Sequence, residues 1–343
     1  MTSSHIIAIA AGLLAANFYV GYANASVFAL LFVILTALPI AVVSIGWGLY
    51  FGLIASLIAL VPILILITDF LSIASFKYAL GFFTFFCIPS LILAHLFYLS
   101  RPVDTSAPQA VPPQNVGTDQ AANTEQDISY EWYPTGHLVM WMSVMAGVLT
   151  CAFLFQFADG ITDYLKKIDT IWEHVFSKLF TQMSGEPLSQ EAIADLKQNL
   201  AISIPTALSL ALFFLIYSNF WIAAKIVQGL QKLNRPLPNF MTIEFPGNFF
   251  IAFIVSILAA TFLVGYLKFF AIAFLSAFTT AYFFMGLMVI HAILEGSQFK
   301  TFTLFSLYFL LLVFGWLGLV LVIIGLAEPI INLRGKAPPS SSS

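Results

Sequence analysis

Apolar runs long enough to cross a bilayer follow one another through most of this chain, separated by short polar breaks. In the first hundred residues they cover 5–22, 25–44, 47–67 and 71–99. The breaks carry Gly, Asn or Asp, in Gly21–Asn24, Ile45-Gly46-Trp47 and Thr68-Asp69, where the chain has to turn. Five further runs cover 137–158, 200–225, 248–266, 269–294 and 303–327. A span needs about 20 apolar residues, so the pattern predicts an all-α, polytopic transmembrane helix bundle of about nine spans.

Two segments depart from that pattern. Residues 101–136 are rich in Pro, Gln, Ala, Asn and Asp and cannot bury enough apolar surface to offset ordering, which predicts a disordered linker. It separates a four-span block, 1–100, from a five-span block, 137–327; a polar tail, 328–343, ends in a serine run. Between 160 and 181, Ile161, Tyr164, Leu165, Ile168, Ile171, Trp172, Val175 and Leu179 recur at three- and four-residue spacing, with Lys166, Lys167, Thr170, Glu173 and His174 on the other face. That is the signature of an amphipathic helix on the membrane surface. A short helix should follow, with Ser189 as N-cap and Glu191 in its first turn.

Composition agrees. Of 343 residues 60% are hydrophobic and only 8% charged, with mean hydropathy +0.97; soluble domains carry about 25% charged residues. A net charge of −3 offers no basic surface for nucleic acid. Cys87 and Cys151 sit inside apolar spans with neither metal-ligand nor disulfide-framework spacing.

Small residues mark close helix approach. Ala8, Gly12 and Ala16, flanked by Ala11 and Ala15, form a ladder in the first span, and Gly48, Gly52, Ala55 and Ala59 repeat the theme in the third. Such faces serve packing within the bundle or docking of a partner subunit. Pro39, Pro62, Pro89 and Pro205 lie within spans and predict kinks.

Polar groups inside spans are candidates for function by default. His95 lies in the fourth span and Asn219 near the end of the sixth; His291 and Glu295, four apart near the end of the eighth, share a helical face. These four are the candidate substrate-binding residues. The alternative for His291 and Glu295 is a hydrogen-bonded pair at the interface. No G-x-x-x-x-G-K-[ST], H-E-x-x-H or G-x-S-x-G motif is present, and no motif calls for a metal or cofactor. An enzyme acting on lipid-linked substrates would rest on His291 and Glu295 alone, and no enzyme is expected.

The order of several short motifs resembles one family. Leu38-Pro39-Ile40 leads to Gly46-Trp47-Gly48, and Pro89 follows. After the linker come Trp132-Tyr133-Pro134-x-Gly136, Arg235-Pro236, Phe245-Pro246, Gly325-Leu326-Ala327-Glu328 and Asn332-Leu333-Arg334. Together they resemble the YybS-like predicted membrane proteins of bacteria, a family distantly similar to the S components of energy-coupling-factor transporters. Glu328 stands where that family's pattern has Asp, and nine spans exceed the six of an ordinary S component. The resemblance implies a multi-pass protein of the bacterial inner membrane that binds a small molecule and docks on a partner subunit or transporter ATPase module. In S components an A-x-x-x-A face of the first helix makes the docking contact, and Ala11 and Ala15 match that spacing. It also implies a cytoplasmic N-terminus, whereas counting Lys and Arg alone slightly favours the opposite orientation. The expected function is thus a substrate-binding transporter subunit; the alternative is a structural or regulatory membrane scaffold.

Overall fold

The computed structural model describes residues 3–22, 27–67, 72–102, 130–177, 179–180 and 189–336. Within them the chain is a membrane helix bundle, with six helices long and apolar enough to span a bilayer and four shorter apolar helices. By element, the first half holds α1 (Ser3–Tyr22), α2 (Val27–Leu35), α3 (Leu38–Trp47), α4 (Leu49–Leu66), α5 (Ile73–Phe82) and α6 (Ile88–Tyr98), of which α5 and α6 make up one spanning helix. Strands β1 (Ser100–Pro102) and β2 (Tyr130–Trp132) follow. The second half holds α7 (Thr135–Phe157), α8 (Ile161–Ile171), α9 (Gln190–Gly229), α10 (Gly247–Phe262), α11 (Tyr266–Ile293), α12 (Lys300–Val313) and α13 (Leu317–Ile331).

Proline shapes the first half. The second expected span is broken at Thr36-Ala37, because Pro39 in the first turn of α3 has no N–H to offer the preceding turn. Thr36 caps the break by donating its hydroxyl to Phe32 O at 2.9 Å. Pro89 distorts the fourth without breaking it, and Ile73–Tyr98 runs on as one helix. Residues Phe83–Cys87 widen into a turn in which Ile88 N–H reaches Phe83 O, and this joins α5 to α6. The tight corner before α4 falls at Gly48, φ +95°, a conformation that favours glycine.

The last expected span, 303–327, is not one helix. It breaks at Phe314-Gly315-Trp316 into α12 and α13, each only about 21–23 Å long and too short to cross alone. None of the residues of α12 is buried. By contrast α13 packs tightly on α11: a Cβ added to Gly286 would lie 1.9 Å from Leu321 O, and one on Gly325 would lie 2.1 Å from Tyr282 O. Two backbones can approach that closely only where both helices carry glycine. Nor does a separate short helix precede the sixth span. Ser189 caps α9 by accepting from Ala192 N–H, and α9 then runs unbroken for 40 residues.

The linker assigned to 101–136 falls mostly outside the described residues, but its ends are ordered. Strands β1 and β2 pair antiparallel, Arg101 opposite Glu131 with an ion pair of 2.6 Å. The tail assigned to 328–343 is described as far as Lys336, through the end of α13 and the turn Arg334–Lys336.

The core joins both halves. Its largest apolar cluster takes Ala41 and Ile45 from α3 and Leu93 and Phe97 from α6 together with residues of α7, α9, α10, α11 and α13. A second cluster fills α1, α3, α4 and α5. Most large apolar side chains on the outside, such as Leu57, Ile251 and Phe305, are exposed, as the surface of a bundle in lipid should be.

Candidate functional site

Polar chemistry gathers at one end of the bundle, where the end of α6, the β1–β2 hairpin, the start of α7, the 230–246 connection and the end of α13 meet. The local sequence explains why they fit. A Cβ on Gly136 would sit 1.8 Å from Glu244 O, so only glycine lets α7 begin against the 230–246 connection. Phe245 then wedges its ring against Tyr282, 5.4 Å between centroids, and Phe249, 4.8 Å. Asn239 accepts from Met241 N–H and closes the short turn Phe240–Thr242.

Two arginines tie this cap together. Arg235 is 7% exposed and makes no ion pair among the described residues. Its guanidinium donates to Phe97 O and Tyr133 O and lies over the rings of Phe97, 4.5 Å, and Trp132, 5.4 Å. Its Nε is buried without a hydrogen-bond partner among the described residues. Burial in these surroundings pushes its pKa down to about 10, so it stays charged at neutral pH.

Arg334 forms a buried pair with Glu328, Nε to Oε1 at 2.7 Å, and donates to Met241 O at 2.6 Å and Ile243 O at 2.7 Å. Glu328, 3% exposed, also accepts from Leu333 N–H and Arg334 N–H. Asn332, at φ +49°, supplies the left-handed residue that turns the chain back at the end of α13.

An open cavity of about 260 Å³ lies beside this pair, lined by Glu244, Phe245, Met285, Glu328, Pro329, Asn332 and Arg334. Both charges of the Glu328–Arg334 pair are engaged. The Glu244 carboxylate is exposed and makes no ion pair among the described residues, so it is the group left to meet a ligand.

The residues singled out from sequence do not assemble into one site. His95 is exposed on α6 in an apolar groove with Tyr50, Leu53 and Ile92. Asn219 is buried; its amide donates to Ile34 O at 2.7 Å and Leu215 O at 2.8 Å, filling the acceptor that the α2–α3 break leaves open. His291 and Glu295 take different partners. The His291 ring contacts Leu287 O at 2.9 Å and Tyr308 Oη at 3.3 Å. Helix α11 ends at Ile293, before Glu295, which pairs instead with Lys300 at 2.6 Å. The expected shared face is therefore lost.

The small-residue ladder is a further correction. Ala8, Gly12, Ala15 and Ala16 are buried, with Ala11 half-buried beside them, and a Cβ on Gly12 would lie 2.4 Å from Ala55 O of α4. That face packs α1 on α4 and is not open to a partner.

Arg235, Glu244, Glu328 and Arg334 escaped selection because they stand in loops or at span ends. Arg235, Glu328 and Arg334 carried one visible signal, since each stands in one of the short motifs Arg235-Pro236, Gly325-Leu326-Ala327-Glu328 and Asn332-Leu333-Arg334; Glu244 carried none. The family profile described as "Predicted membrane protein (DUF2232)" matches residues 131–328, which include most of this cap. No curated protein and no solved structure matches the chain.

Proposed function

We propose, starting from this chain's membership of the DUF2232 family of predicted membrane proteins, that it is the substrate-binding membrane subunit of a transporter, holding a small molecule in the cap cavity. The observation that carries this reading is that cavity of about 260 Å³, walled by cap residues and offering the unpaired Glu244 carboxylate. A concave site with few, fixed polar groups is the usual form of a small-molecule site. The YybS-like identity and the S-component likeness belong to this proposal. Docking through the α1 ladder does not, because α4 covers it; a partner subunit would engage another surface. The bacterial inner membrane is the location that the reading implies.

A scaffold is the second reading. It is favoured by the use of both cap arginines to hold backbone carbonyls of the chain itself rather than to face an open site. Native mass spectrometry of the protein purified in mild detergent separates the two. A stoichiometric small molecule that is lost in Glu244→Gln supports the binding subunit. Protein carrying only lipid or a protein partner overturns it in favour of the scaffold.

A further inference from the structure

The opposite end of the bundle holds a groove that the cap does not explain. It lies between α8, the first turns of α9 and the start of α11, and has a volume of about 460 Å³. Helix α8 is anchored there by Tyr164, whose hydroxyl donates to Ala201 O at 2.7 Å and whose ring meets Phe269 at 4.8 Å. Leu165, Ile168, Ile202 and Phe269 give the groove apolar walls, and Asp169, Lys197 and Lys268 stand among its lining residues.

Its depth in the membrane follows from the sequence. Helix α9 is polar through Gln198-Asn199 and apolar from Leu200, while α11 changes at Lys268-Phe269. Both transitions fall within the groove, so its mouth is at headgroup level and its floor faces acyl chains.

The charges are unbalanced in a particular way. Lys197 pairs with Asp169 at 3.0 Å and approaches Glu173 at 3.9 Å, so two carboxylates share one ammonium. Lys268 is half-buried and has no ion pair among the described residues. One negative and one positive charge therefore remain at one mouth. The described residues around it, Asp159, Asp163, Asp169, Glu173, Glu191 and Asp195 against Lys166, Lys167, Lys197 and Lys268, are net acidic, which disfavours an anionic lipid. A choline headgroup has no N–H to donate to Asp169 and would want several aromatic rings, where the described lining residues include Phe269 alone.

We propose that this groove binds one zwitterionic glycerophospholipid with an ethanolamine headgroup. Its phosphate sits on Lys268, its ammonium on Asp169 and Glu173, and an acyl chain runs along Leu165, Ile202 and Phe269. The site lies away from the cap and stands independently of the transporter reading.

The full chain is reconstituted in vesicles of equimolar phosphatidylethanolamine, phosphatidylcholine and phosphatidylglycerol, re-extracted, and examined by native mass spectrometry. The expected result is one retained phosphatidylethanolamine in excess over its vesicle share. Lys268→Ala lowers that retention about fivefold, the factor for one lysine near a charged headgroup layer; Lys268→Arg keeps it. The double variant Asp169→Asn with Glu173→Gln shifts retention from phosphatidylethanolamine toward phosphatidylglycerol. Unchanged melting temperatures in lipid-free detergent show that the variants fold. Retained lipid that mirrors the vesicle mixture overturns the proposal, as does a wild-type preference for phosphatidylglycerol or a Lys268→Ala variant that retains lipid like the parent.

Discussion

The two ends of the bundle solve one problem with different chemistry. Carbonyl oxygens at helix ends, in connections and, like Ala201 O ahead of Pro205, four residues before a proline inside a helix lack a helical N–H partner, and in a membrane protein few waters reach them. At the cap, two guanidinium groups, Arg235 buried and Arg334 half-buried, reach Phe97 O, Tyr133 O, Met241 O and Ile243 O. At the opposite end neutral phenols do most of the work: Tyr164 donates to Ala201 O, and Tyr266 to Leu154 O and Ala158 O. Lys167 adds a contact to Phe157 O. A guanidinium joins several segments at once but must stay charged in apolar surroundings; a phenol joins two helices at little desolvation cost. The cap is therefore the more specific end and the one most damaged by losing a single group.

Substitutions test that contrast, beginning with the largest effect. Arg334→Met should destabilise the protein by about 3–5 kcal/mol, because Glu328 is left as an unpaired buried charge. Thermal unfolding in detergent would show it, and Glu328→Met in the same background should recover most of the loss. If the single and double variants melt alike, the pair is not what holds the cap. Arg235→Met should cost about 1–3 kcal/mol, since Phe97 O and Tyr133 O lose their donor but no carboxylate is stranded. At the other end Tyr164→Phe should cost about 1 kcal/mol, one hydrogen bond to Ala201 O; a loss matching that of Arg334→Met would erase the distinction between the ends.

The smallest effect depends on pH. Asp163 accepts from Lys167 and from Asp159 N–H, which holds its pKa below the ordinary 3.8. Its contribution is present above that ordinary value and disappears as the pH falls through the folded-state value. Amide protection in the first turn of α8, taken relative to the intrinsic exchange rate at each pH, should fall on that acid limb, and Asp163→Asn should remove that fall.

What could be read from the sequence follows from where the information is local. Apolar run length is local, so the helical membrane class and most spans were legible. So was the buried face of α8, with Tyr164 and Ile168, continued by Trp172 just beyond its end. The break at Phe314-Gly315-Trp316 was not, because both sides are equally apolar and the stretch has no proline. At the candidate site the motif residues were visible but not their roles. Nothing local to Arg235 says that it reaches Phe97, far earlier in the chain, or that Glu244 is left open while Glu328 is engaged. The spacing of His291 and Glu295 misled because α11 stops between them.

The β1–β2 pairing has a consequence for engineering. Paired strands lie about 4.8 Å apart, so Pro102 and Tyr130 hold the two ends of residues 103–129 side by side. Whatever joins them enters and leaves at nearly one point. That makes the hairpin a graft point: a folded reporter domain with neighbouring termini, or a two-residue Asn-Gly turn, should replace those residues without moving a transmembrane helix.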